Sequence, residues 1–248
     1  GTQTLSELLD RAPNARVYHH PRPYLIEETL QAYHSNVDCE EVFFWARGTI
    51  LWEAWKDGLT FGTVEHNMTP FTPTLAKLIP RARFIALVRN PWGFVRSAMR
   101  RRYYRGHPWD PGRLVPEPEH PDAKAWPQMS AFEKVCWLWN ETYVRIARYL
   151  ENIDDDRYRL VQFEDLVGDP ETTQGLYEFL DLKKFDRSTT RRILGQQLNN
   201  QKQGEFPRPE DWTDEQHETL WRICQPAIES LELDAYASRS VAQEPDTT

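Results

Sequence analysis

The chain has 248 residues, of which 40% are hydrophobic and 12% aromatic. This length and this content suit one sizeable globular domain with a real core. The formal net charge of -8 at pH 7 excludes a general electrostatic attraction to nucleic acid or to an anionic membrane surface. Any site that binds an anion must therefore be built locally.

The cysteines are Cys39, Cys136 and Cys224, an odd number at wide spacing with no CxxC pair. This pattern disfavours a disulfide framework and a zinc site, and it favours a reducing compartment. No apolar run reaches about 18 residues, so no segment is expected to cross a membrane. We therefore expect a cytoplasmic protein with no membrane segment in this chain.

The spacing of apolar residues predicts helices that alternate with strands. The predicted helices are 4–11, 24–33, 41–55, 75–79, 91–103, 130–150, 171–180 and 212–231. The predicted strands are 15–18, 61–65, 83–88 and 159–163. Strand 83–88 is a near-continuous apolar run, as expected for a strand that is buried on both faces of a parallel sheet. The sequence therefore predicts an α/β fold with a mainly parallel central sheet flanked by helices, in one domain over residues 1–235 with a polar tail at 236–248.

The chain opens with Gly1, Thr2, Gln3 and Thr4 at the start of a predicted helix. A glycine lets the backbone approach an anion closely, and the N–H groups and dipole of the helix start then hold a phosphate or sulfate. An ordinary helix start explains the same residues equally simply. Alone, the pattern indicates an anion site only weakly.

A second group of residues follows the buried strand 83–88. Arg89 stands at the carboxyl end of the strand, where open α/β sheets bind ligands, and Asn90 and Pro91 are a natural N-cap and first residue of a helix. Ser97 lies eight residues after Arg89, and an arginine fork with a serine hydroxyl suits a phosphate. The alternative is a surface arginine and a serine that bonds to its own helix. A P-loop NTPase would need GxxxxGK[ST] and a strand that ends in Asp, so a phosphate bound without metal is favoured here.

Four motifs in this order resemble those of the PAPS-dependent sulfotransferases. The start GTQTL is similar to the second half of their 5′-phosphosulfate loop, and residues 84–97, FIALVRNPWGFVRS, are similar to their 3′-phosphate motif. The later segments FEDL at 163–166 and QKQGEF at 201–206 also match the family pattern. The resemblance covers most of residues 1–235 and implies a P-loop NTPase-like sulfotransferase fold.

The resemblance also implies which residues bind the nucleotide. The 5′-phosphosulfate would be held by Gly1, Thr2, Gln3 and Thr4. The 3′-phosphate would be held by Arg89, Ser97, Lys202 and Gly204. No metal is implied. The Lys or Arg and the Ser that lead the family's loop, and the strand before them, are not in this sequence, so we expect that the numbering begins inside a longer protein.

The resemblance places the catalytic base in one of two regions. Related tyrosylprotein and heparan sulfotransferases have a Glu about twenty residues after the loop glycine, where this chain has His20. Other branches have a His nearer the 3′-phosphate strand, where this chain has Glu65 and His66. Histidine has an unperturbed pKa near ~6.5 and suits proton removal from an acceptor. His20 is our first choice, with His66 and Glu65 as alternatives, and His20 as a turn residue before Pro21 stays open.

The resemblance implies transfer of a sulfuryl group from PAPS to a hydroxyl or amine acceptor, which gives PAP and a sulfated product. The acceptor is open among carbohydrate, small metabolite, lipid and peptide. The proline-rich segment 106–127 is a candidate acceptor lid. Trp92, Trp109 and Trp126 are candidates for an acceptor pocket, for core packing or for loop anchoring. Two other functions stay open, a P-loop kinase that needs ATP and Mg²⁺, and a nucleotide-binding module without catalysis.

Overall fold

The computed structural model describes residues 1–195, 204–233 and Tyr236. Its α-helices are α1 (Thr2–Leu9), α2 (Ile26–Tyr33), α3 (Cys39–Lys56), α4 (Thr72–Leu78), α5 (Pro91–Arg100), α6 (Ala131–Leu150), α7 (Phe163–Gly168), α8 (Pro170–Phe179), α9 (Arg187–Leu194) and α10 (Asp214–Ser230). Its strands are β1 (Ala15–His19), β2 (Thr60–Val64), β3 (Phe84–Val88) and β4 (Tyr158–Gln162). The order of helices and strands is that of an α/β fold, as predicted.

The strands of the described residues form two parallel pairs. β1 pairs with β2, with Ala15 opposite Thr60 and His19 opposite Val64. β3 pairs with β4 over their full lengths, so that both strands end level with each other. Because paired parallel strands end at the same edge, the residues that follow them along the chain are brought together there.

The chain divides into two compact units. The first takes Gly1–Val88 and the described residues of Asp154–Asn200, and it contains both strand pairs. Its core packs the apolar face of α1 against β4, α8 and α9, because the leucines of α1 recur at helical spacing. The Tyr177 hydroxyl donates a hydrogen bond to the carbonyl of Leu8 at 2.8 Å, which ties α8 to α1.

The second unit takes Arg89–Ile153 and the described residues of Gln201–Thr248. Its centre is α6 against α10, with Trp137, Trp139 and Cys224 buried. Both helices begin with a capping box, Ser130 with Glu133 and Thr213 with Gln216. The prediction of one domain over 1–235 stays a prediction, and the predicted tail lies outside the described residues except for Tyr236.

Two helices, α7 and α9, were not predicted from the sequence. α7 has six residues and follows β4 without a connecting turn, so it is too short for a periodic apolar pattern. The helix predicted over 91–103 ends at Arg100. The physical reason is that Arg102 and Tyr104 have φ angles of 61° and 58°, in a left-handed region that an α-helix cannot contain.

The proline-rich segment that follows is held by its own side chains. The Asp110 carboxylate accepts hydrogen bonds from the backbone N–H groups of Tyr104, Gly106 and His107 at 2.9–3.0 Å and from Arg113 Nε at 2.9 Å. Burial works against ionisation of Asp110, but these bonds prevail and hold its pKa below the usual value. The segment is therefore an ordered loop, and its role as an acceptor lid stays a prediction.

A buried ion pair joins α3 to the end of β2. Arg47 Nε donates to Glu65 Oε1 at 3.0 Å and Arg47 Nη2 to Glu65 Oε2 at 2.7 Å, and both side chains are fully buried. Arg47 Nη1 also donates to the carbonyls of Pro23 and Ala46, at 3.0 and 3.1 Å. Burial raises the pKa of Glu65, and its bonds to Arg47 oppose the rise. The pair thus connects α3, the residue after β2 and the loop that follows β1.

We expect Glu65→Gln to lower the free energy of unfolding by about 3–5 kcal/mol, because it leaves the Arg47 charge buried without its counter-ion. Equilibrium unfolding in urea measures this loss. The double variant Glu65→Leu with Arg47→Met removes both charges and should recover most of it. A loss below about 1 kcal/mol for Glu65→Gln would show that the pair is hydrated and contributes no more than a surface pair.

Candidate active site

The start of α1 lies at the carboxyl ends of β3 and β4. A side chain at Gly1 would overlap the ring of Phe163, the first residue after β4, and its Cβ would lie 3.0 Å from a methyl group of Leu87 on β3. A residue with a side chain at this position would have to displace the Phe163 ring. The N-cap residue of α1 is Gly1, which has no side chain to accept bonds from the N–H groups of the first turn.

The same helix start contacts the end of β1. The Thr2 hydroxyl lies 3.1 Å from His19 Nε2. Burial lowers the pKa of His19. The predicted anion-binding segment and the predicted base region are thus in direct contact within the first unit.

Three histidines form a row at the carboxyl ends of β1 and β2. The ring centroids of His19 and His20 are 4.6 Å apart, and those of His20 and His66 are 4.8 Å apart, both in edge-to-face geometry. His19 ends β1 and His66 lies two residues after β2, so the parallel pairing of the strands brings the three rings together. The structure therefore places the two candidate histidines, which are 46 positions apart in the chain, side by side.

His20 has the most unusual surroundings of the three. Its φ angle is 43°, in the left-handed region that non-glycine residues seldom adopt. Burial, followed by the charges of His19 and Arg47, lowers its pKa to about 4. His20 is therefore neutral at physiological pH and has an imidazole lone pair that can accept a proton.

The alternatives to His20 differ in how accessible they are. His66 is exposed, whereas the carboxylate of Glu65 is fully buried and both of its oxygens accept bonds from Arg47. A carboxylate held in this way suits an anchor and not a base that must reach an acceptor. Sequence reasoning did not find Arg47; the available signal was a single cation on the otherwise apolar face of a predicted helix.

Arg89 and Ser97, the residues predicted to bind the 3′-phosphate, lie in the first part of the second unit. The Asn90 side chain accepts a hydrogen bond from the N–H of Trp92 at 2.9 Å and Pro91 is the first helical residue, which confirms the predicted helix start. Trp139 Nε1 donates to the carbonyl of Arg89 at 2.9 Å and fixes the backbone there. Ser97 lies on α5, about two turns after its start.

Gly204 lies against the end of the helix that carries Ser97. Its φ angle is 83°, and a Cβ at this position would overlap the carbonyl oxygen of Arg100. Arg100 Nε donates to the carbonyl of Gly204 at 3.0 Å. The structure therefore brings Gly204 to the helix of the predicted 3′-phosphate motif, whereas Lys202 lies outside the described residues.

The tryptophans proposed for an acceptor pocket have packing roles in the second unit. Trp92 is buried and its Nε1 donates to His217 Nδ1 at 3.1 Å. Trp126 packs edge-to-face against Trp137 at 4.9 Å between ring centroids. The backbone N–H of Trp109 donates to His107 Nδ1 within the ordered loop. These contacts favour the core alternative for Trp92 and loop anchoring for the other two.

Two properties of the described residues bear on metals and membranes. No three of their His, Cys, Asp or Glu side chains are grouped so as to hold a metal ion. In the same part of the chain, every helix is too short or not apolar enough to cross a bilayer.

The chain was compared with known families, curated proteins and solved structures. The model of a family described as "Sulfotransferase family" matches residues 55–187, more than half of the chain. The matched region contains Glu65, His66, Arg89 and Ser97 but not His20. No curated protein sequence matches at a significant level.

Two solved structures match the chain in a structural comparison. A sulfotransferase from Alicyclobacillus acidocaldarius is 15% identical, with a TM-score of 0.55 over 98% of this chain and 94% of that one. A sulfotransferase domain from the curacin biosynthetic pathway is 13% identical, with a TM-score of 0.44 over 89% and 72% of the two chains. The first likeness supports the predicted α/β fold. Together with the family match over residues 55–187, the motifs and the fold identify the chain as a member of the sulfotransferase family.

Proposed function

We propose that the protein transfers a sulfuryl group from PAPS to a hydroxyl or amine acceptor and releases PAP. The observation that carries the proposal is the contact between the Thr2 hydroxyl and His19 Nε2 at 3.1 Å. It joins the helix start that resembles the 5′-phosphosulfate loop to the segment that holds the candidate base. A sulfuryl transferase needs these two functions next to each other, because the acceptor must attack the sulfur in line with the leaving phosphate.

The residues of the first unit fit the 5′ end of the donor. The glycine at the N-cap has no side chain that could compete with an anion for the backbone N–H groups of the first turn. Thr2, Gln3 and Thr4 would bind the 5′-phosphosulfate through these groups. The same N–H groups would stabilise the charge that develops on the phosphate as it leaves.

The residues of the second unit fit the 3′-phosphate. Arg89 would supply a charged fork and Ser97 a hydroxyl, and the Gly204 segment lies against the helix that carries Ser97. Lys202 is proposed on the family resemblance alone. Each of these roles can be tested by itself, with PAP as the ligand.

The chemical step needs one proton acceptor. The oxygen or nitrogen of the acceptor forms a bond to sulfur while the bond from sulfur to the phosphate oxygen of PAPS breaks. The proton of the acceptor passes to the imidazole of His20, which is neutral at physiological pH because its pKa is about 4. An imidazole with so low a pKa is a weak base, so it takes the proton only as the bond to sulfur forms and makes the proton of the attacking atom strongly acidic. His66, 4.8 Å away between ring centroids, is the alternative base.

Arg89→Ala is expected to weaken PAP binding by about 10- to 100-fold, since it removes a charged hydrogen-bonding partner of the 3′-phosphate. Isothermal titration calorimetry with PAP and with 5′-AMP measures the effect. The variant should also lose the preference for PAP over 5′-AMP. Arg105→Ala, an exposed arginine beyond α5, is the matched control. If Arg89→Ala binds PAP within twofold of the parent protein, the assigned role is wrong.

His20→Asn is expected to lower kcat by at least about 100-fold and to leave PAP affinity within twofold, because it removes a base and not a donor contact. Transfer from radiolabelled PAPS to an acceptor library, followed by kinetics on the best acceptor, measures kcat. His66→Asn is the competing variant and should cost less than about tenfold. The opposite ranking of the two variants would make His66 the base.

The pH dependence distinguishes a buried base from an ordinary histidine. Because the pKa of His20 is lowered to about 4, the base is unprotonated throughout the range from about pH 6 to 8. We expect kcat/KM of the parent enzyme to be level over that range and to fall only as the pH drops toward the pKa. An inflection near ~6.5 that disappears in His66→Asn would instead point to an unperturbed histidine.

A further inference from the structure

Helix α3 has an exposed aromatic face that the proposed chemistry does not use. On one side it buries Phe43 and Arg47 among other residues. On the other side Trp45, Trp52 and Trp55 are 64%, 59% and 66% exposed, and Phe44 is 44% exposed. Single exposed apolar residues are ordinary in soluble proteins, but four on one helix form a patch of the kind that marks an interaction surface.

The three exposed tryptophans, together with a glycine, follow the spacing of a helix–helix seam. Trp45, Gly48, Trp52 and Trp55 are separated by three, four and three positions, which is the repeat that keeps residues on one face of a helix against a partner helix. We call these four residues the α3 seam. Trp52 and Trp55 stack on each other, with ring centroids 4.7 Å apart and an interplanar angle of 29°.

Gly48 makes a gap in the middle of the seam. A Cβ built on Gly48 would meet no atom within 4 Å, so nothing in the described part of the chain fills the space above it. A glycine within a helix costs about 1 kcal/mol relative to alanine. The gap between Trp45 and Trp52 is of the kind that receives a large side chain from a facing helix.

We propose that the α3 seam is a homodimerisation surface, on which α3 of a second copy of this chain packs antiparallel about a two-fold axis near Ile50. In this register Trp52 of each copy lies opposite Gly48 of the other, and Trp45 lies opposite Trp55. The seam is therefore complementary to itself in size, as a two-fold interface requires. A partner of another kind would have to supply the same alternation of large and small residues.

The charges on α3 favour the antiparallel arrangement. Its amino end carries the exposed Glu40 and Glu41 and its carboxyl end the exposed Lys56. Antiparallel packing brings Lys56 within about one turn of the acidic end of the other helix, whereas parallel packing sets acid against acid. The exposed Glu40, Glu41 and Glu53 give α3 more exposed acidic than basic side chains, which disfavours an anionic membrane surface as the partner.

The exposed area of the three tryptophans can be compared with the areas of known protein–protein interfaces. A tryptophan buries roughly 150–250 Å², so the exposed parts of three of them amount to about 400 Å² per copy. Two copies would bury about 800 Å² through these rings, less than the roughly 1,200–2,000 Å² of a stable interface. An interface of this size is typical of weak, transient complexes, so we expect the dimer to dissociate on dilution.

Sedimentation velocity of the full chain from about 1 to 200 µM tests the proposal, since a dimer of this strength changes its population across that range. The parent protein should pass from monomer to dimer. Trp52→Glu should weaken association at least tenfold, while circular dichroism and the melting temperature show that the fold is retained. Glu53→Ala, on the same helix but off the seam, is the matched control and should associate like the parent.

The variant Gly48→Leu distinguishes a complementary interface from nonspecific hydrophobic association. It adds apolar surface, so unspecific association would become stronger, whereas a seam that needs the gap would associate at least about tenfold more weakly. The proposal is overturned if the parent stays monomeric at the highest concentration, if Trp52→Glu associates like the parent, or if Gly48→Leu associates more tightly. Binding to anionic phosphatidylserine vesicles with a blue shift of tryptophan emission, without dimerisation, would also overturn it.

Discussion

The amino end of α1 lies at the carboxyl ends of β3 and β4 in a close contact that a side chain at residue 1 would disturb. The space that a side chain would need is taken by the Phe163 ring and by Leu87. Close approach of a helix start to the edge of a parallel sheet concentrates N–H donors where the strands deliver their last residues. The anion site that we propose at Thr2 depends on this contact, and so does the contact of Thr2 with His19.

A second constraint holds the histidine row in place. Arg47 and Glu65 form an ion pair that is shielded from water, and Arg47 also binds the carbonyl of Pro23, three residues after His20. Arg47 on α3 and Glu65 after β2 thus hold the segment that contains His20. The backbone of His20 itself is in a left-handed conformation. Rigid support of this kind is what a base needs if it is to meet an acceptor in one geometry. One helix therefore supports the proposed site with its buried face and presents the α3 seam with its exposed face.

Much of the fold could be predicted from the sequence, because apolar periodicity depends on neighbouring residues only. Strand 83–88 and the helix start at Asn90 are examples, and both are confirmed. The contacts of the site were harder to predict, because they depend on strand pairing: nothing local shows that His66 lies beside His20, or that Glu65 is paired with Arg47. The resemblance to sulfotransferases pointed to the correct family and to the two histidines. It could not show that one candidate, Glu65, has both carboxylate oxygens bound to an arginine.

We propose that this sulfotransferase recognises a 3′-phosphorylated adenosine donor without a metal. The decisive experiment is calorimetric titration of the parent protein with PAP, 5′-AMP and ATP, each with Mg²⁺ and with a chelator. We expect PAP to bind at least about tenfold more tightly than 5′-AMP, with the same affinity in chelator. If the protein binds PAP no more tightly than 5′-AMP, or binds ATP more tightly than PAP when Mg²⁺ is present, metal-free recognition of the 3′-phosphate is wrong.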